Sequence, residues 1–142
     1  MSMRIQSTPC VVTKRSLQRF KAIDGESGFK MTVFAVQMQM RFDNEKRELV
    51  ERFPSINRAD KWGKIKFILS PSANPFKPEL VIGDIHECLS GFNDNDYLLL
   101  IGNPVLIGMA TAIAANNSGG LVNFLQWSGR HNTYTEITAR LF

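Results

Sequence analysis

The chain alternates between short apolar runs and polar stretches, and the apolar runs have the length of β-strands. Turn-forming residues such as Gly, Pro, Asn, Asp and Ser separate most of these runs from the next element. The run at 64–69, for example, places Ile65, Phe67 and Leu69 at alternate positions before a Ser-Pro-Ser stretch. The pattern predicts five strands, at residues 31–38, 64–69, 97–101, 121–127 and 133–138.

Between the first two runs the pattern changes to DNEKRELVERF, at residues 43–53. Asp43 or Asn44 is a suitable N-cap, and Leu49, Val50 and Phe53 form an apolar stripe at helical spacing. The stretch ends before a proline, and the residue that precedes proline avoids helical dihedral angles. We therefore predict a helix over residues 43–53.

Two further stretches have clearer helix signals. Pro78 suits the first position of a helix that runs to about residue 90, because apolar residues recur there at helical spacing. Asn103 is a good N-cap for a third helix with Pro104 at its first position. That helix is rich in Ala and Gly and is apolar on most sides, which is typical of a helix packed closely against a sheet.

The order of these elements, β-α-β-α-β-α-β-β, predicts an α/β fold with a mainly parallel sheet. We expect a small three-layer, Rossmann-like or flavodoxin-like domain over residues 31–142, with an antiparallel hairpin at one edge and the strand order 2-1-3-4-5. That order places the first and third strands at the point where the chain reverses direction across the sheet.

The net charge of +4 is located in the first 30 residues, because residues 31–142 contain eleven residues of each sign. Residues 1–30 are therefore predicted to be a basic N-terminal extension, with Met31 as an alternative start of the protein. A basic arm of this kind suits contacts with nucleic acid or with a protein partner. The candidates for such contacts are Lys14, Arg15, Arg19 and Lys21.

In a sheet of this kind, ligands bind beyond the carboxyl ends of the strands. Gly102 and Asn103 precede a helix N-terminus, whose amides can hold an anion, and Ser70, Ser72 and Asn74 follow the second strand. The alternative is that Gly102 makes a tight turn and Asn103 caps the helix. The sequence contains neither GxGxxG nor a phosphate-binding P-loop, which argues against a standard dinucleotide or nucleoside triphosphate site.

A second candidate surface lies in the last hairpin. Trp127 and Arg130, with His131 and Tyr134 nearby, combine aromatic and basic side chains that are able to stack on a nucleic-acid base. The alternative is that Trp127 packs within the hairpin. His86 and His131 are interpreted as surface residues, and Cys88 as a core residue.

The string Gly83-Asp84-Ile85-His86 resembles the GDxH motif of calcineurin-like metallophosphoesterases. The resemblance implies an Asp and a His at a strand end that bind the first of two metal ions, which would activate water for attack on a phosphate ester. Glu87 replaces the Gly of that family, Asn103 replaces its bridging Asp, and its later metal-binding histidines have no counterpart. A degenerate enzyme of this class is therefore kept only as an alternative.

The strings Asn74-Pro75-Phe76, DYLLLIGNP at 96–104 and L-x-W at 125–127, with the hairpin after it, resemble short α/β proteins of phages and marine metagenomes. The resemblance covers residues 31–140 and implies a phage or mobile-element origin. It transfers no activity and no catalytic residue.

The sequence favours binding over catalysis, because it contains no recognisable acid-base or metal-binding constellation. We predict a phage accessory protein that binds a protein, nucleic acid or small ligand, with a nucleotide- or phosphate-binding domain as the alternative. No metal or other cofactor is predicted. A homodimer is a possible assembly. Two cysteines without ligand spacing and no membrane-length apolar run indicate a location in the host cytoplasm, away from the membrane.

Overall fold

The computed structural model describes residues 31–142 and, of the first 30 residues, only the backbone strand at Val11–Val12. The strands are β1 (Val11–Val12), β2 (Thr32–Gln37), β3 (Met40–Asp43), β4 (Glu48–Glu51), β5 (Lys64–Leu69), β6 (Tyr97–Leu99), β7 (Leu121–Ser128) and β8 (Thr133–Arg140). The helices are α1 (Pro78–Cys88) and α2 (Pro104–Asn117), and a 3-10 segment spans Pro54–Trp62.

Six strands form one sheet in the order β1-β5-β2-β6-β7-β8. The four inner strands are parallel, while β1 and β8 pair antiparallel at the two edges. The prediction of a mainly parallel α/β sheet with an antiparallel hairpin is confirmed, and so is the strand order 2-1-3-4-5 for the five predicted strands. The assignment to a Rossmann-like or flavodoxin-like class stays a prediction, since the first crossover contains no α-helix.

The two faces of the sheet are covered by different kinds of structure. Both helices pack on the face that contains Phe34 and Val36, whereas the 3-10 segment packs on the opposite face through Ile56 and Ala59. The chain moves across the sheet in one direction from β2 to β5 and then returns. If all crossover connections are right-handed, the connection from β2 to β5 must lie on one face of the sheet and the later connections, through α1 and α2, on the other. The structure shows this arrangement.

The prediction of a helix over residues 43–53 is wrong, because this stretch forms the β3–β4 hairpin as a separate two-stranded sheet. The Asp43 carboxylate accepts hydrogen bonds from the amides of Glu45 (2.9 Å) and Lys46 (3.2 Å), as an N-cap would. Here the same bonds close a turn, which Arg47 completes with a left-handed backbone (φ 56°). The amides of Lys46 and Glu45 also hold the pKa of Asp43 below its ordinary value.

Both other helices are confirmed, and α2 begins as predicted. The Asn103 side chain accepts hydrogen bonds from the amides of Val105 (2.8 Å) and Leu106 (3.4 Å), and Pro104 occupies the first helical position.

Cys88 is buried in the core as predicted, and it is not a free thiol. Neither α1 nor α2 is long and apolar enough to cross a membrane.

The turn before β6 contains a buried carboxyl group. Asp96 is only 6% exposed. Its carboxylate accepts hydrogen bonds from the amides of Thr32 and Asn93, both at 3.1 Å, and so joins the start of β2 to the turn that leads into β6. A turn-like composition did not reveal that one of its carboxylates has a long-range structural role.

Candidate functional site

The carboxyl ends of β2 and β6 lie side by side where the chain reverses direction, and this is the place where such sheets usually bind ligands. Here the space between the two strand ends is occupied by the side chain of Gln37, which is 4% exposed. Its amide nitrogen faces the carbonyl oxygens of Ser70, Pro71 and Ala73 at 3.2, 3.3 and 3.4 Å. The side chain therefore holds the loop after β5 against the end of β2.

The amide oxygen of Gln37 makes the contacts on the other side of this space. It accepts hydrogen bonds from the backbone N–H of Asn103 (3.0 Å) and from the side chain of Gln39 (3.2 Å). One amide thus bridges the loop after β5 and the turn before α2. Sequence reasoning assigned no role to Gln37, although a polar residue at the end of an apolar strand was a visible signal.

Gly102 makes room for this bridge. Its φ of +126° lies in a region that favours glycine, and a Cβ atom built on it would lie 2.6 Å from the Cβ of Gln37. Any larger residue would meet a part of Gln37 that is close to the backbone and unable to swing aside. Gly102 is required by the packing of Gln37, whatever else the turn does.

The predicted anion cradle at the start of α2 has its amides bonded within the protein. The Gln37 side chain accepts a hydrogen bond from the N–H of Asn103, and the Asn103 side chain accepts hydrogen bonds from the N–H groups of Val105 and Leu106. Pro104 has no N–H to offer. The geometry accounts for Gly102 and Asn103 as a turn and a cap, and an anion would have to displace protein groups to reach these amides.

A cavity of about 160 Å³ opens beside this closed space, between the end of β5, the loop after it and the first turns of α1. It contains three of the five predicted ligand-binding residues, Ser70, Ser72 and Asn74, but neither Gly102 nor Asn103. The other lining residues are Ile68, Leu69, Ala73, Lys77, Leu80, Val81 and Asp84. The cavity therefore joins an apolar floor to a polar rim with one basic and one acidic side chain.

Local hydrogen bonds fix the shape of the loop at residues 70–77. The hydroxyls of Ser70 and Ser72 lie 3.0 Å apart, and the Asn74 carboxamide oxygen accepts the N–H of Phe76 at 2.9 Å. The N–H of Lys77 is bonded to the carbonyl oxygen of Asn74 at 3.1 Å. These bonds show a structural use for the side chains that the sequence had suggested as ligand contacts.

The same loop carries the most exposed of the large apolar side chains that the structure describes. Phe76 is 90% exposed, and Leu80, which lines the cavity, is 57% exposed. Sequence reasoning noted Phe76 as part of a motif but did not single out either residue. The available signal was an aromatic residue between Pro75 and Pro78, where no strand or helix could bury it.

In the last hairpin, Trp127 packs edge to face against Tyr134, with the ring centres 5.1 Å apart, and is 37% exposed. Arg130 and His131 are exposed in the turn, and the His131 ring lies 3.1 Å from the Ser128 hydroxyl. Burial raises the pKa of Tyr134. The packing matches the alternative interpretation of Trp127 as a structural residue, while base stacking by Trp127 and Arg130 stays a prediction.

The metallophosphoesterase-like string lies within helix α1 and not at a strand end. Asp84 lines the cavity and His86 is exposed on the helix surface. Across residues 31–142, no group of three or more His, Cys, Asp or Glu side chains is placed to hold a metal ion. The metallophosphoesterase motif requires a strand end with further metal ligands nearby, whereas this string lies in a helix without such ligands among the described residues.

The predicted basic arm lies outside the described residues, so Lys14, Arg15, Arg19 and Lys21 stay predictions. Residues 31–141 match a protein-family model described as Phage Pam3 gp32-like protein. The match spans the whole sheet apart from β1, together with the loop and cavity described above. No curated protein and no solved structure matches the chain.

Proposed function

The chain belongs to the Phage Pam3 gp32-like protein family, and on that premise we propose that it is a phage protein that acts by binding another protein. The proposed contact surface, called the loop–helix surface below, consists of residues 70–77 and the exposed side chain of Leu80. No catalytic step is assigned to it.

The observation that carries this proposal is the exposure of Phe76 and Leu80 beside a preformed cavity. Phe76 is almost fully exposed on a loop held by its own hydrogen bonds, and Leu80 is more than half exposed in the first turn of α1, so both side chains gain free energy when a partner covers them. They also lose little conformational entropy on binding, because the backbone of the loop is already fixed. Such anchors usually dominate the binding energy of a protein interface.

The closure of the strand ends by Gln37 also supports binding over nucleotide chemistry. The cavity that remains, at about 160 Å³, is smaller than the roughly 300–1,000 Å³ that is usual for small-molecule sites. A nucleotide would require displacement of Gln37 or of the loop. The side chain of a partner protein fits the available volume better.

The second candidate function is the binding of a small anion, such as phosphate, in the cavity. Lys77 and the hydroxyls of Ser70 and Ser72 favour it, since they supply a positive charge and hydrogen-bond donors at one rim. Asp84 opposes it, because its carboxyl group lines the same small space. Because one lining residue opposes a bound anion, we rank anion binding second to protein binding.

The proposal is tested by pairwise binding measurements between the full chain and the other proteins encoded by the same phage. We expect at least one partner, whose affinity falls about tenfold or more for Phe76→Ser, the loss of one buried aromatic anchor. Ile137→Ser is the matched control, because Ile137 is 43% exposed on β8, outside this surface. Equal losses for the two variants, or no partner at all, would contradict the proposal.

The anion alternative is separated by following the backbone amide resonances of Ser70, Ser72 and Lys77 during titration with inorganic phosphate and with adenosine monophosphate. Protein binding predicts no saturable shift, whereas an anion site predicts saturation that Lys77→Ala removes. Steady hydrolysis of a phosphate ester that Asp84→Asn abolishes would replace both functions with the enzyme alternative.

A further inference from the structure

The β3–β4 hairpin presents an unpaired strand edge and an apolar pair of side chains. Among the described strands, β3 pairs with β4 alone, so its outer edge has no partner in this part of the chain. Phe42 and Leu49 lie directly opposite each other on the hairpin and are 55% and 65% exposed. A row of unpaired backbone groups beside exposed apolar residues is a template for another strand.

The direction of the backbone groups along β3 follows from one hydrogen bond. The N–H of Arg52 bonds to the carbonyl oxygen of Gln39 at 2.9 Å, which continues the register of the hairpin by one pair. Hydrogen-bonded pairs alternate along an antiparallel ladder, so Arg41 and Asp43 direct their backbone groups toward β4. Phe42 therefore directs its N–H and carbonyl group outward.

We propose that a second copy of this chain pairs with this edge, with the two β3 strands antiparallel about a two-fold axis at Phe42. The outward N–H and carbonyl groups of the two Phe42 residues then exchange both hydrogen bonds. Arg41 of each copy lies opposite Asp43 of the other, giving two ion pairs. Phe42 and Leu49 of both copies form one apolar strip across four strands.

The charge pattern selects this register and a copy of the same chain. Shifting the pairing by two residues toward Met40 would place Arg41 on the axis against Arg41 of the other copy, which costs free energy. A partner strand of unrelated sequence would have to supply an acid and a base at matching positions. The sequence of β3, MRFD, supplies both by symmetry.

The outer edge of β4 is less suited to the same contact. Glu51, at its end, lies near the main domain, since its charge contributes to raising the pKa of Tyr134. A pairing of two β4 strands centred on Val50 would also place the Glu51 carboxylate opposite the apolar Leu49. The β3 edge has neither disadvantage, because Arg41 and Phe42 are both exposed.

The contact is small by the standard of stable interfaces, which bury roughly 1,200–2,000 Å² in total. We therefore expect a dimer that dissociates on dilution. An isolated hairpin is only marginally stable in water, so pairing should also protect its amides from hydrogen exchange.

Sedimentation velocity of the full chain over a range of concentrations tests the proposal. Arg41→Asp places two carboxylates opposite each other at each end of the contact and is expected to weaken dimerisation about tenfold or more. Asp43→Arg is expected to do the same with two cations, and it also removes the carboxylate that closes the hairpin turn, so its own loss of dimer is interpreted only together with the mixing experiment. A one-to-one mixture of these two variants should form a heterodimer, because each then supplies the charge that the other lacks.

Phe42→Pro is a further variant, since proline removes the outward N–H without removing a bond to β4. It is expected to be monomeric with an unchanged circular dichroism spectrum. A wild-type chain that stays monomeric at all concentrations would overturn the proposal. So would a dimer that neither Arg41→Asp nor Phe42→Pro weakens, which would place the interface at β4 or elsewhere.

Discussion

The two ends of the central strand β2 are closed by two different buried polar groups. Gln37 lies at the carboxyl end and Asp96 at the amino end, and they are the buried polar side chains of the described core. Each joins β2 to structure that flanks β6. The comparison shows how the same task, joining neighbouring parallel strands at their ends, is achieved with a neutral group at one end and a titratable group at the other.

The difference follows from the chemistry of the groups to be joined. The carboxyl end presents carbonyl oxygens and an N–H, so an amide, which donates and accepts, satisfies both kinds. The amino end presents the N–H groups of Thr32 and Asn93, which an acceptor-only carboxylate satisfies. Desolvation by burial nevertheless raises the pKa of Asp96, and the two N–H groups oppose this rise.

The largest expected effect is on the carboxyl end, from Gly102→Ala. The new methyl group would meet the Cβ of Gln37 in a backbone conformation that disfavours alanine. We expect a loss of about 3 kcal/mol in the free energy of unfolding, measured by urea denaturation. Gly108→Ala in α2 is the control, because a Cβ there meets nothing within 4 Å, and it should stabilise by about 0.5–1 kcal/mol. Equal effects at the two sites would contradict this role of Gly102.

A smaller loss is expected from Gln37→Leu, which leaves the Asn103 N–H and the facing carbonyl groups without their partner. We expect about 2 kcal/mol, with little dependence on pH. Gln37→Glu keeps the shape but places an ionised oxygen against the carbonyl oxygens of the loop, which raises the pKa of the new carboxyl group. Its stability relative to wild type should therefore recover as the pH falls through that raised pKa. A pH-independent difference between Gln37→Glu and wild type would contradict the bridge.

The smallest effect is expected at the amino end. Asp96→Asn keeps one of two acceptor oxygens, and we expect a loss of about 1 kcal/mol at neutral pH. Because the folded pKa of Asp96 is raised, the native state holds its proton more tightly than the unfolded state does. Wild-type stability relative to Asp96→Asn should thus decrease as the pH rises from below the ordinary pKa of 3.8 through the folded pKa. An increase over that window, in urea denaturation at a series of pH values, would show that the N–H groups outweigh burial.

Local patterns predicted the elements that local physics determines. The N-cap at Asn103 with Pro104 behind it, the strand at Lys64–Leu69 and the last hairpin all depend on neighbours in sequence, and all are confirmed. The order of the strands followed from the general preference for short, right-handed connections. These preferences need no knowledge of particular side-chain contacts.

The wrong helix at 43–53 shows where local patterns fail. An Asp side chain that accepts hydrogen bonds from the N–H groups two and three residues later in the chain occurs at the start of a helix and also in a tight turn. Which of the two forms depends on the residues that follow. Leu49 has helical spacing to Phe53, but Leu49 and Phe42 face each other across a hairpin and are both exposed. The apolar residues that suggested a buried helical stripe lie instead on an exposed hairpin surface.

The roles of Gln37 and Asp96 could not be predicted for a different reason. Their decisive partners are 66 and 64 residues away in sequence, at Asn103 and Thr32. A polar residue at a strand end has the same local pattern whether it faces water or another loop. The candidate ligand-binding residues follow the carboxyl ends of β5 and β6, as expected from the predicted strand order, but the sequence did not reveal that the side-chain amide of Gln37 occupies the space between β2 and β6.

The central position of β2 also has a consequence for the order in which the chain folds. Strands β7 and β8 are joined by a short turn, so their ladder forms after the closure of a small loop. Strand β2 pairs with β5 and β6 only after much longer segments have been brought together, which costs more entropy. We therefore expect the last hairpin to form early and β2 to join late, so that the contacts of Gln37 and Asp96 complete the sheet and do not nucleate it.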